Sequence, residues 1–354
     1  MTTIAAARGV LGRHRYDQQT ITEAFATQCA TTDRERAMVR RFHQNAKVNT
    51  RYTALPIEDC LALEQFGARN DAFISHATVL GAEALSAALE EAGLAASDVD
   101  LILFTTVTGV AAPSIDARIA AMVGLRPDVK RLPLFGLGCV AGAAGIARLH
   151  DYLLGHPDEV AVLVSAELCS LTLQRGDLSI ANMVASGLFG DGAAAVVALG
   201  ADRARRLGSQ GPRVVDSRSH LYPDTSDTMG WDVRETGLKI VLGAGVPDLV
   251  ERYLGEDVGS FLASHQLELS DVAGWVCHPG GPKVIEAIES VLDLDPQALE
   301  LTWRSLAEIG NLSSSSVLHV LADTLNKRSF ADGSPGVLMA MGPGFCSELV
   351  LLSW

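Results

Sequence analysis

Apolar residues in this chain fall into short uninterrupted runs, separated by longer stretches rich in alanine and leucine. The run Leu101–Phe104 follows a turn-forming Ser97-Asp-Val-Asp sequence, and the helical pattern of Ala77–Ala92 precedes both. Short continuous apolar runs are typical of strands buried on both faces, whereas long alanine-rich stretches indicate helices. Because the two kinds of segment alternate, the pattern predicts mixed α/β layers around a strongly buried sheet.

The same order of elements occurs twice at a nearly constant spacing. The segment Ser97–Thr105 has a counterpart 173 residues later in Ser270–His278. The small-residue stretch that begins at Cys139 has a counterpart 172 residues later, which begins at Asn311. Two pairs that share one spacing, about half of the chain length, indicate an internal duplication.

The boundary between the two copies is marked by a change in composition. Between Gly200 and Val214, charged residues, glycine and proline replace the apolar periodicity. A chain of 354 residues can form two ordinary domains or one large two-part unit. We therefore predict an N-terminal half of residues 1–206 and a C-terminal half of residues 207–354.

Composition narrows the classes of function. The chain has 42 acidic and 28 basic residues, a net charge of −14, which argues against nucleic-acid binding over its whole surface. Six cysteines without a Cys-x-x-Cys pair indicate reduced thiols, with neither disulfides nor a metal site. With no signal peptide and no apolar run of membrane-spanning length, we expect a soluble cytoplasmic protein without membrane insertion.

Cys139 is the candidate nucleophile. It follows an apolar segment and Gly136-Leu-Gly138, and it leads into small residues that favour a helix. Such a strand-turn-helix elbow places the thiol at a helix N-terminus, where the helix dipole is expected to lower its pKa from about 8.5 and favour the thiolate. The alternative is a small buried hydrophobic residue.

His278 and Asn311 supply the groups that a reactive thiol needs. His278 ends the second strand copy, and Asn311 begins the helix equivalent to the one after Cys139. In acyl transfer the thiolate would hold the acyl group, while imidazole and amide donate hydrogen bonds to a thioester oxygen during decarboxylation. Taken singly, His278 is explained by a turn and Asn311 by a helix cap.

The joint pattern resembles the chalcone synthase-like, or type III, polyketide synthases. Five motifs match that family in the same order: Arg131–Leu153, Leu188–Ala195, His278–Pro282, Gly310–Ser314 and Met341–Gly344. The resemblance implies a thiolase-like five-layer α/β/α/β/α fold with internal duplication, and a homodimer. It implies iterative decarboxylative condensation of malonyl-CoA onto an acyl-CoA starter, with coenzyme A thioesters as substrates and no other cofactor, metal or carrier protein. Cys139, His278 and Asn311 match the catalytic positions.

The resemblance also implies substrate-binding residues. Phe189 matches one gatekeeper, Ile240 takes the place of a second that is phenylalanine in plant members, and Cys169 and Thr172 match positions lining the chamber. The loop Gly342-Pro343-Gly344 completes the substrate-binding set. An aliphatic chamber suits an alkyl starter, and the sequence after Cys139 is similar to that of mycobacterial-type alkylpyrone synthases. We therefore predict a medium- to long-chain fatty acyl-CoA starter and alkyl-α-pyrone products formed by lactonisation.

A basic segment is the candidate site for the coenzyme A phosphates. Asp33–Arg51 contains six cations, a local concentration that an acidic protein needs to bind an anionic substrate. The family resemblance makes Arg41 and Lys47 the nearest matches to phosphate contacts, although Gln44 stands where an arginine is expected. A solvated helix face is the simpler explanation.

Three other functions stay open. A ketoacyl-ACP synthase III-like enzyme shares the triad but condenses once, onto a carrier-bound malonyl group. A type III synthase with another starter or cyclisation is a second alternative. The third is a catalytically silent acyl-binding protein, which the intact triad argues against.

Overall fold

The computed structural model describes residues 1–354 and contains thirteen strands and twelve helices. The strands are β1 Thr2–Leu11, β2 His14–Asp17, β3 Thr50–Thr53, β4 Leu101–Thr106, β5 Lys130–Phe135, β6 Val160–Leu168, β7 Asp191–Leu199, β8 Arg213–Leu221, β9 Met229–Arg234, β10 Gly237–Leu242, β11 Gly274–Cys277, β12 Pro335–Gly342 and β13 Cys346–Ser353. The helices are α1 Gln18–Cys29, α2 Asp33–Asn45, α3 Ile57–Ala62, α4 Phe66–Ala92, α5 Ile115–Val123, α6 Ala141–Gly155, α7 Ile180–Leu188, α8 Ala201–Leu207, α9 Val246–Ser264, α10 Pro282–Val291, α11 Glu300–Ile309 and α12 Ser316–Lys327.

Strand pairing shows the internal duplication directly. The large sheet has the order β11-β12-β13-β8-β1-β7-β6-β4-β5. In the N-terminal half, β4 pairs parallel to β6, which pairs antiparallel to β7, which pairs antiparallel to β1. In the C-terminal half, β11, β12, β13 and β8 repeat this order and these directions. The two copies join through β1 and β8, at only two residue pairs.

Five layers follow from the alternation of side chains along the strands. In β4, Leu101 and Leu103 face a central core that contains α6 and α12, whereas Ile102 and Phe104 face an outer core with α4 and α5. Strand β12 alternates in the same way between the central helices and an outer layer of α9 and α10. Strands β4 and β12 are therefore covered on both faces, which explains their continuous apolar sequences. The predicted thiolase-like α/β/α/β/α fold is confirmed.

Helix α4 is long and apolar enough, by length and composition, to cross a membrane, which corrects the expectation that no segment reaches that length. It packs against β1, β6 and β7, and 56% of its most apolar 18-residue window is buried in the protein. This packing is that of a core helix. The predicted division between residues 206 and 207 lies in the last turn of α8, and its placement stays a prediction.

Candidate active site

The N-termini of the two central helices bring the two halves of the chain together. Cys139 lies in a single 3-10 turn, Gly138–Val140, that leads into α6. Asn311 precedes an equivalent 3-10 turn, Ser313–Ser315, that leads into α12. The Cys139 thiol donates a hydrogen bond to Ser313 Oγ across the boundary, with an Sγ–Oγ distance of 3.7 Å. The equivalence predicted from the spacing therefore becomes direct contact.

Two glycines make these turns sterically possible. Gly138 has φ of 55°, and a Cβ there would lie 2.6 Å from Pro343 Cδ. Gly310 has φ of 74°, and a Cβ there would lie 2.7 Å from the Leu188 carbonyl oxygen. Residues other than glycine rarely adopt a positive φ, and neither position has room for a side chain. Each of these two candidate catalytic residues therefore follows a glycine, because neighbouring residues pack directly against the backbone at that position.

His278 lies where β11 ends. Its backbone N–H donates to the Met339 carbonyl oxygen at 3.0 Å, which extends the pairing of β11 with β12 by one residue. The side chain is 5% exposed, yet neither Nδ1 nor Nε2 has a hydrogen-bond partner. Buried imidazoles are normally paired, because an unpaired buried polar group costs about 1–3 kcal/mol. The unpaired ring is therefore free to form hydrogen bonds with a ligand, which keeps His278 a candidate catalytic residue.

Asn311 is held by its own side chain. Its Oδ1 accepts the Ser313 backbone N–H at 2.7 Å, and its Nδ2 donates to the Gly280 carbonyl oxygen at 3.1 Å. These contacts fix which end of the amide carries the nitrogen. An amide nitrogen has two hydrogens, so one donor remains after the bond to Gly280. Gly280 lies two residues after His278, and its own N–H donates to the His278 carbonyl oxygen at 2.9 Å.

One cavity of about 490 Å³ contains the three residues together. Cys139, His278 and Asn311 all line it, and most of the remaining lining is apolar. Among the residues predicted to contact substrate, the cavity is also lined by Phe189, Ile240, Cys169 and Pro343. The other three do not line it: Thr172, Gly342 and Gly344.

The three residues outside the lining have different positions. Thr172 lines a small pocket on the far side of Phe189 and Ile240. Gly342 supports the cysteine elbow, since a Cβ there would lie 2.7 Å from the Val140 nitrogen. Gly344 has φ of 145°, in a region that favours glycine, and follows Pro343 in the loop. These two glycines shape the loop and leave contact with the cavity to Pro343.

Burial keeps the thiol and imidazole uncharged. It raises the pKa of Cys139 to about 12 and lowers the pKa of His278 to about 3. For Cys139 this direction is opposite to the lowering of the pKa expected at a helix N-terminus, because loss of hydration disfavours the thiolate. A thiolate at Cys139 requires a proton acceptor inside the cavity, and neutral His278 lines the same cavity with both nitrogens unpaired.

Similarity to known proteins covers the whole chain. Residues 2–203 match the family model for the N-terminal domain of chalcone and stilbene synthases, and residues 213–353 match the model for their C-terminal domain. The chain belongs to the chalcone and stilbene synthase family. It is a type III polyketide synthase, an acyltransferase-type condensing enzyme.

Individual relatives agree with this assignment. The synthase is 55% identical to 1,3,6,8-tetrahydroxynaphthalene synthase of Streptomyces peucetius subsp. caesius over 353 residues, which cover 100% of this chain and 93% of the relative. It is 35% identical to a putative chalcone synthase of Bacillus subtilis strain 168 over 318 residues, or 88% and 87% of the two chains. The crystal structure of 1,3,6,8-tetrahydroxynaphthalene synthase from Streptomyces coelicolor A3(2), a bacterial type III polyketide synthase, superimposes with a TM-score of 0.93 at 30% identity and covers 99% of both chains.

The side chains of Phe189, Trp231 and Ile240 form a wall that is shared by the synthase's cavity and a smaller pocket. Ile240 in β10 pairs directly with Trp231 in β9, and both residues line the cavity beside Phe189. The same three side chains line the small pocket behind the wall, which has a volume of about 30 Å³. Nothing in the sequence assigned Trp231 a role, because its place beside Ile240 depends on the register of the β9–β10 hairpin.

A second feature that sequence reasoning missed is a buried carboxylate next to the thiol. Glu167 is fully buried, and its Oε2 accepts hydrogen bonds from Thr106 Oγ1 at 3.1 Å, the Val107 N–H at 3.0 Å and Thr108 Oγ1 at 2.9 Å. Its Oε1 accepts from Ser314 Oγ in the other half. Burial raises the pKa of Glu167, and the carboxylate in turn helps to raise the pKa of Cys139.

The predicted basic segment is only partly available for binding. Arg40 forms two hydrogen bonds to Glu23, at 2.8 and 2.7 Å, and Arg36 pairs with Asp33. Arg51 is buried, and donates to the carbonyl oxygens of Ser186 and Phe189. The three remaining cations of the segment are exposed and form no ion pair: Arg34, Arg41 and Lys47.

The two predicted phosphate contacts lie beside the cavity without lining it. Phe42, Asn45 and Ala46 line the cavity, and Arg41 and Lys47 are their neighbours in sequence on either side. The geometry is therefore compatible with phosphate binding at this end of α2. The chain contains no group of three or more His, Cys, Asp or Glu side chains arranged to hold a metal ion.

Proposed function

We propose that the synthase makes 1,3,6,8-tetrahydroxynaphthalene from malonyl-CoA alone, without a carrier protein. The main support for this proposal is the 55% identity, across the whole chain, to a 1,3,6,8-tetrahydroxynaphthalene synthase. The solved structure with a TM-score of 0.93 also belongs to a tetrahydroxynaphthalene synthase. Both relatives favour this product over the alkylpyrones expected from the sequence.

The product defines the overall reaction. A naphthalene has ten carbons, and the oxygens of the product lie on alternate carbons, as condensed two-carbon units would leave them. Five malonyl-CoA molecules therefore give one product molecule, five carbon dioxide, five coenzyme A and one water, which balances carbon, hydrogen and oxygen. No oxidant or reductant is needed.

Chain loading begins with proton transfer between two neutral groups. His278 takes the proton of the Cys139 thiol, and the resulting thiolate–imidazolium pair keeps the net charge of the cavity unchanged. The thiolate then attacks the malonyl-CoA carbonyl carbon, the carbon–sulfur bond to coenzyme A breaks, and the departing thiolate takes the proton from His278. Because the pKa of the Cys139 thiol is high, the thiolate forms only by proton transfer to a group inside the cavity.

Chain extension uses the donors of the C-terminal half. The free Nδ2–H of Asn311 and an N–H of His278 donate to the thioester oxygen of an incoming malonyl-CoA. Breaking the bond to the carboxyl group releases carbon dioxide and leaves an enolate that these donors stabilise. The enolate carbon attacks the acyl carbon on Cys139, and the carbon–sulfur bond to Cys139 breaks. The chain, two carbons longer, returns to the thiol for the next cycle.

Cavity shape supports a short starter. The pocket behind Phe189, Trp231 and Ile240 has about 30 Å³, which is enough for a water molecule but not for a long alkyl chain. Fatty acyl-CoA priming and alkylpyrone release form a second candidate, favoured by the largely apolar cavity lining and the small Cys169 side chain. That candidate requires the three wall side chains to move apart.

We also propose that the synthase is a homodimer, as the family resemblance implies. Edge strand β5 pairs only with β4, yet its Leu132 and Phe135 side chains are 40% and 55% exposed. Met122 of α5 is also exposed. An open edge strand with apolar side chains is normally covered by a partner. Light scattering should give twice the chain mass, and Phe135→Glu should shift it towards the single-chain mass. We further propose a cytoplasmic location, which the six unpaired cysteines support.

The product assay compares starters directly. Purified synthase receives malonyl-CoA alone, or malonyl-CoA with acyl-CoAs from acetyl to palmitoyl, and products are identified by mass. We expect the tetrahydroxynaphthalene mass from malonyl-CoA alone, with no carrier protein added. Products that form only with long acyl-CoAs would establish the alkylpyrone candidate instead, and strict dependence on a carrier protein would establish the ketoacyl-synthase alternative.

A variant of the wall tests in the same assay whether the wall selects the starter. Trp231→Ala joins the small pocket to the main cavity, so we expect it to raise the share of products primed by long acyl-CoAs. Trp303→Ala is the matched control, because Trp303 bonds Glu289 through Nε1 away from the cavity. An unchanged product distribution in Trp231→Ala would show that the wall does not set the starter.

A further inference from the structure

The cavity contains a single charged side chain that the triad does not use. Of all residues that line the cavity, only Lys283 is a lysine, arginine, aspartate or glutamate. It is the second residue of α10, and it follows the Gly280-Gly281-Pro282 segment that connects to His278. Lys283 is exposed whereas His278 is buried, so the cation lies towards the opening of the cavity and the imidazole lies deep inside.

The ion pairs of the other lysines make Lys283 unusual. The chain has five lysines, and three form ion pairs on the surface: Lys130 with Glu159, Lys239 with Asp177, and Lys327 with Asp323. The two without an ion pair are Lys47 and Lys283.

Both unpaired lysines are next to the cavity. Lys47 directly follows Ala46, which lines it, and Lys283 lines it from the opposite half of the chain. Lys283 forms no ion pair even though Glu286 follows one turn later on the same helix. An acidic protein that leaves these two cations unpaired keeps them available for an anion.

Coenzyme A presents two kinds of anion to such a cavity. The malonyl group, with its carboxylate, must enter the cavity deeply enough for its thioester oxygen to reach the donors of His278 and Asn311, which are 5% and 1% exposed. The phosphates remain near solvent at the other end of the pantetheine arm. An exposed lysine at the opening matches the phosphates, because its ammonium stays hydrated while it pairs with a phosphate oxygen.

We propose that Lys283 binds a phosphate group of the coenzyme A thioester. It is a binding residue and takes no part in bond breaking. Together with Lys47, it places one cation from each half of the chain at the opening of the cavity. Lys283 also supplies a positive charge that the neutral Gln44, which stands in place of an expected arginine, does not. This assignment rests on the proposed function, because it assumes that malonyl-CoA is the substrate.

Calorimetric binding of coenzyme A tests the assignment without requiring turnover. We expect Lys283→Ala to weaken coenzyme A binding about tenfold, the usual order for one charge-assisted contact, and Lys283→Arg to retain most of the affinity. Pantetheine, which lacks phosphates, should bind all variants equally. Lys327→Ala is the matched control, because it removes an exposed lysine far along the sequence that pairs with Asp323, and it should leave coenzyme A binding unchanged.

Steady-state kinetics then distinguishes whether Lys283 binds a phosphate of coenzyme A or the malonyl carboxylate. Lys283→Ala should raise KM for malonyl-CoA about tenfold with little change in kcat, and should not change KM for malonyl-pantetheine. Equal coenzyme A affinity in wild type and Lys283→Ala would overturn the proposal, and so would an increase in KM for malonyl-pantetheine, which would assign Lys283 to the carboxylate. If the wild type binds coenzyme A through Lys283 but forms no product, the proposed function fails and the binding assignment stands.

Discussion

The two halves of the synthase share one topology but use their buried polar groups in opposite ways. In the N-terminal half, Glu167 accepts hydrogen bonds on both carboxylate oxygens. In the C-terminal half, His278 lies at the end of the equivalent pair of parallel strands, with neither ring nitrogen paired. One group is satisfied by the protein, and the other is left for a ligand.

The difference suggests how a duplicated fold acquires chemistry. Both halves offer a helix N-terminus in the central layer, where one half places the proposed nucleophile Cys139 and the other places the proposed donor Asn311. A satisfied polar cluster stabilises the fold around the nucleophile, whereas unpaired donors stabilise charge that appears only during reaction. Substitutions in the two halves should therefore separate stability from activity.

The largest effect is expected at the thiol. Cys139→Ala removes the only atom that can hold the acyl chain, so product formation should fall below detection while the fold is retained. Cys169→Ala is the matched control, because it removes a second thiol that lines the same cavity. Products from both variants are measured by mass. Continued polyketide formation by Cys139→Ala would remove the nucleophile from the mechanism.

The next largest effect is expected at the donor of the C-terminal half. Asn311→Asp keeps an oxygen for the Ser313 N–H but replaces the N–H donors, so the condensation rate should fall about 100- to 1,000-fold. Asn326→Asp makes the same change near the other end of α12, where the amide only bonds the Ala322 carbonyl oxygen. Its rate should match wild type. A similar loss in both variants would point to a general effect of added charge.

Stability should show the reverse order. Glu167→Ala leaves three side-chain hydroxyls and one N–H without their acceptor, so we expect the free energy of unfolding to fall by about 3 kcal/mol. His278→Ala breaks no side-chain hydrogen bond and should change it by less than about 1 kcal/mol, despite its loss of activity. Urea denaturation measures both. Equal destabilisation would contradict the contrast between satisfied and unpaired groups.

The smallest expected effect is the contribution of two buried histidines to the pH dependence of stability. Burial lowers the pKa of both His43 and His278 to about 3, although only His43 is hydrogen-bonded, to Thr22 and Ser186. Below about pH 6.5 the unfolded chain binds protons that the folded chain does not, so stability falls as pH falls towards 3.

Each histidine should contribute about 1.4 kcal/mol of lost stability between pH 7.5 and 5.5. His278→Gln and His43→Gln should each reduce that pH dependence by the same amount, although only His43→Gln also loses hydrogen bonds. Urea denaturation at the two pH values provides the measurement. A pH dependence unchanged in His278→Gln would show that folding does not lower the pKa of the His278 imidazole.

Sequence was informative where a local pattern determines structure. The spacing between Cys139 and Asn311 anticipated the duplicated helix starts, and Gly138 and Gly310 mark turns that only glycine accommodates. The pKa of Cys139 could not be predicted in this way, because its direction depends on burial by residues from both halves.

Contacts between residues far apart in the sequence could not be predicted either. Trp231 joins the cavity wall through the register of β9 and β10, and Glu167 binds Thr106 and Ser314, which are 61 and 147 residues away in sequence. No local pattern specifies such partners. The choice of starter depends on the shape of this wall, which no single segment of the sequence specifies.

Separating decarboxylation from condensation tests the division of labour between the halves most directly. The measurement is release of acetyl-CoA from malonyl-CoA by Cys139→Ala and by Asn311→Asp. We predict that Cys139→Ala still forms acetyl-CoA, because the enolate is protonated when no acyl chain is present, and that Asn311→Asp forms little of it. Loss of decarboxylation in Cys139→Ala, or wild-type decarboxylation in Asn311→Asp, would contradict the account.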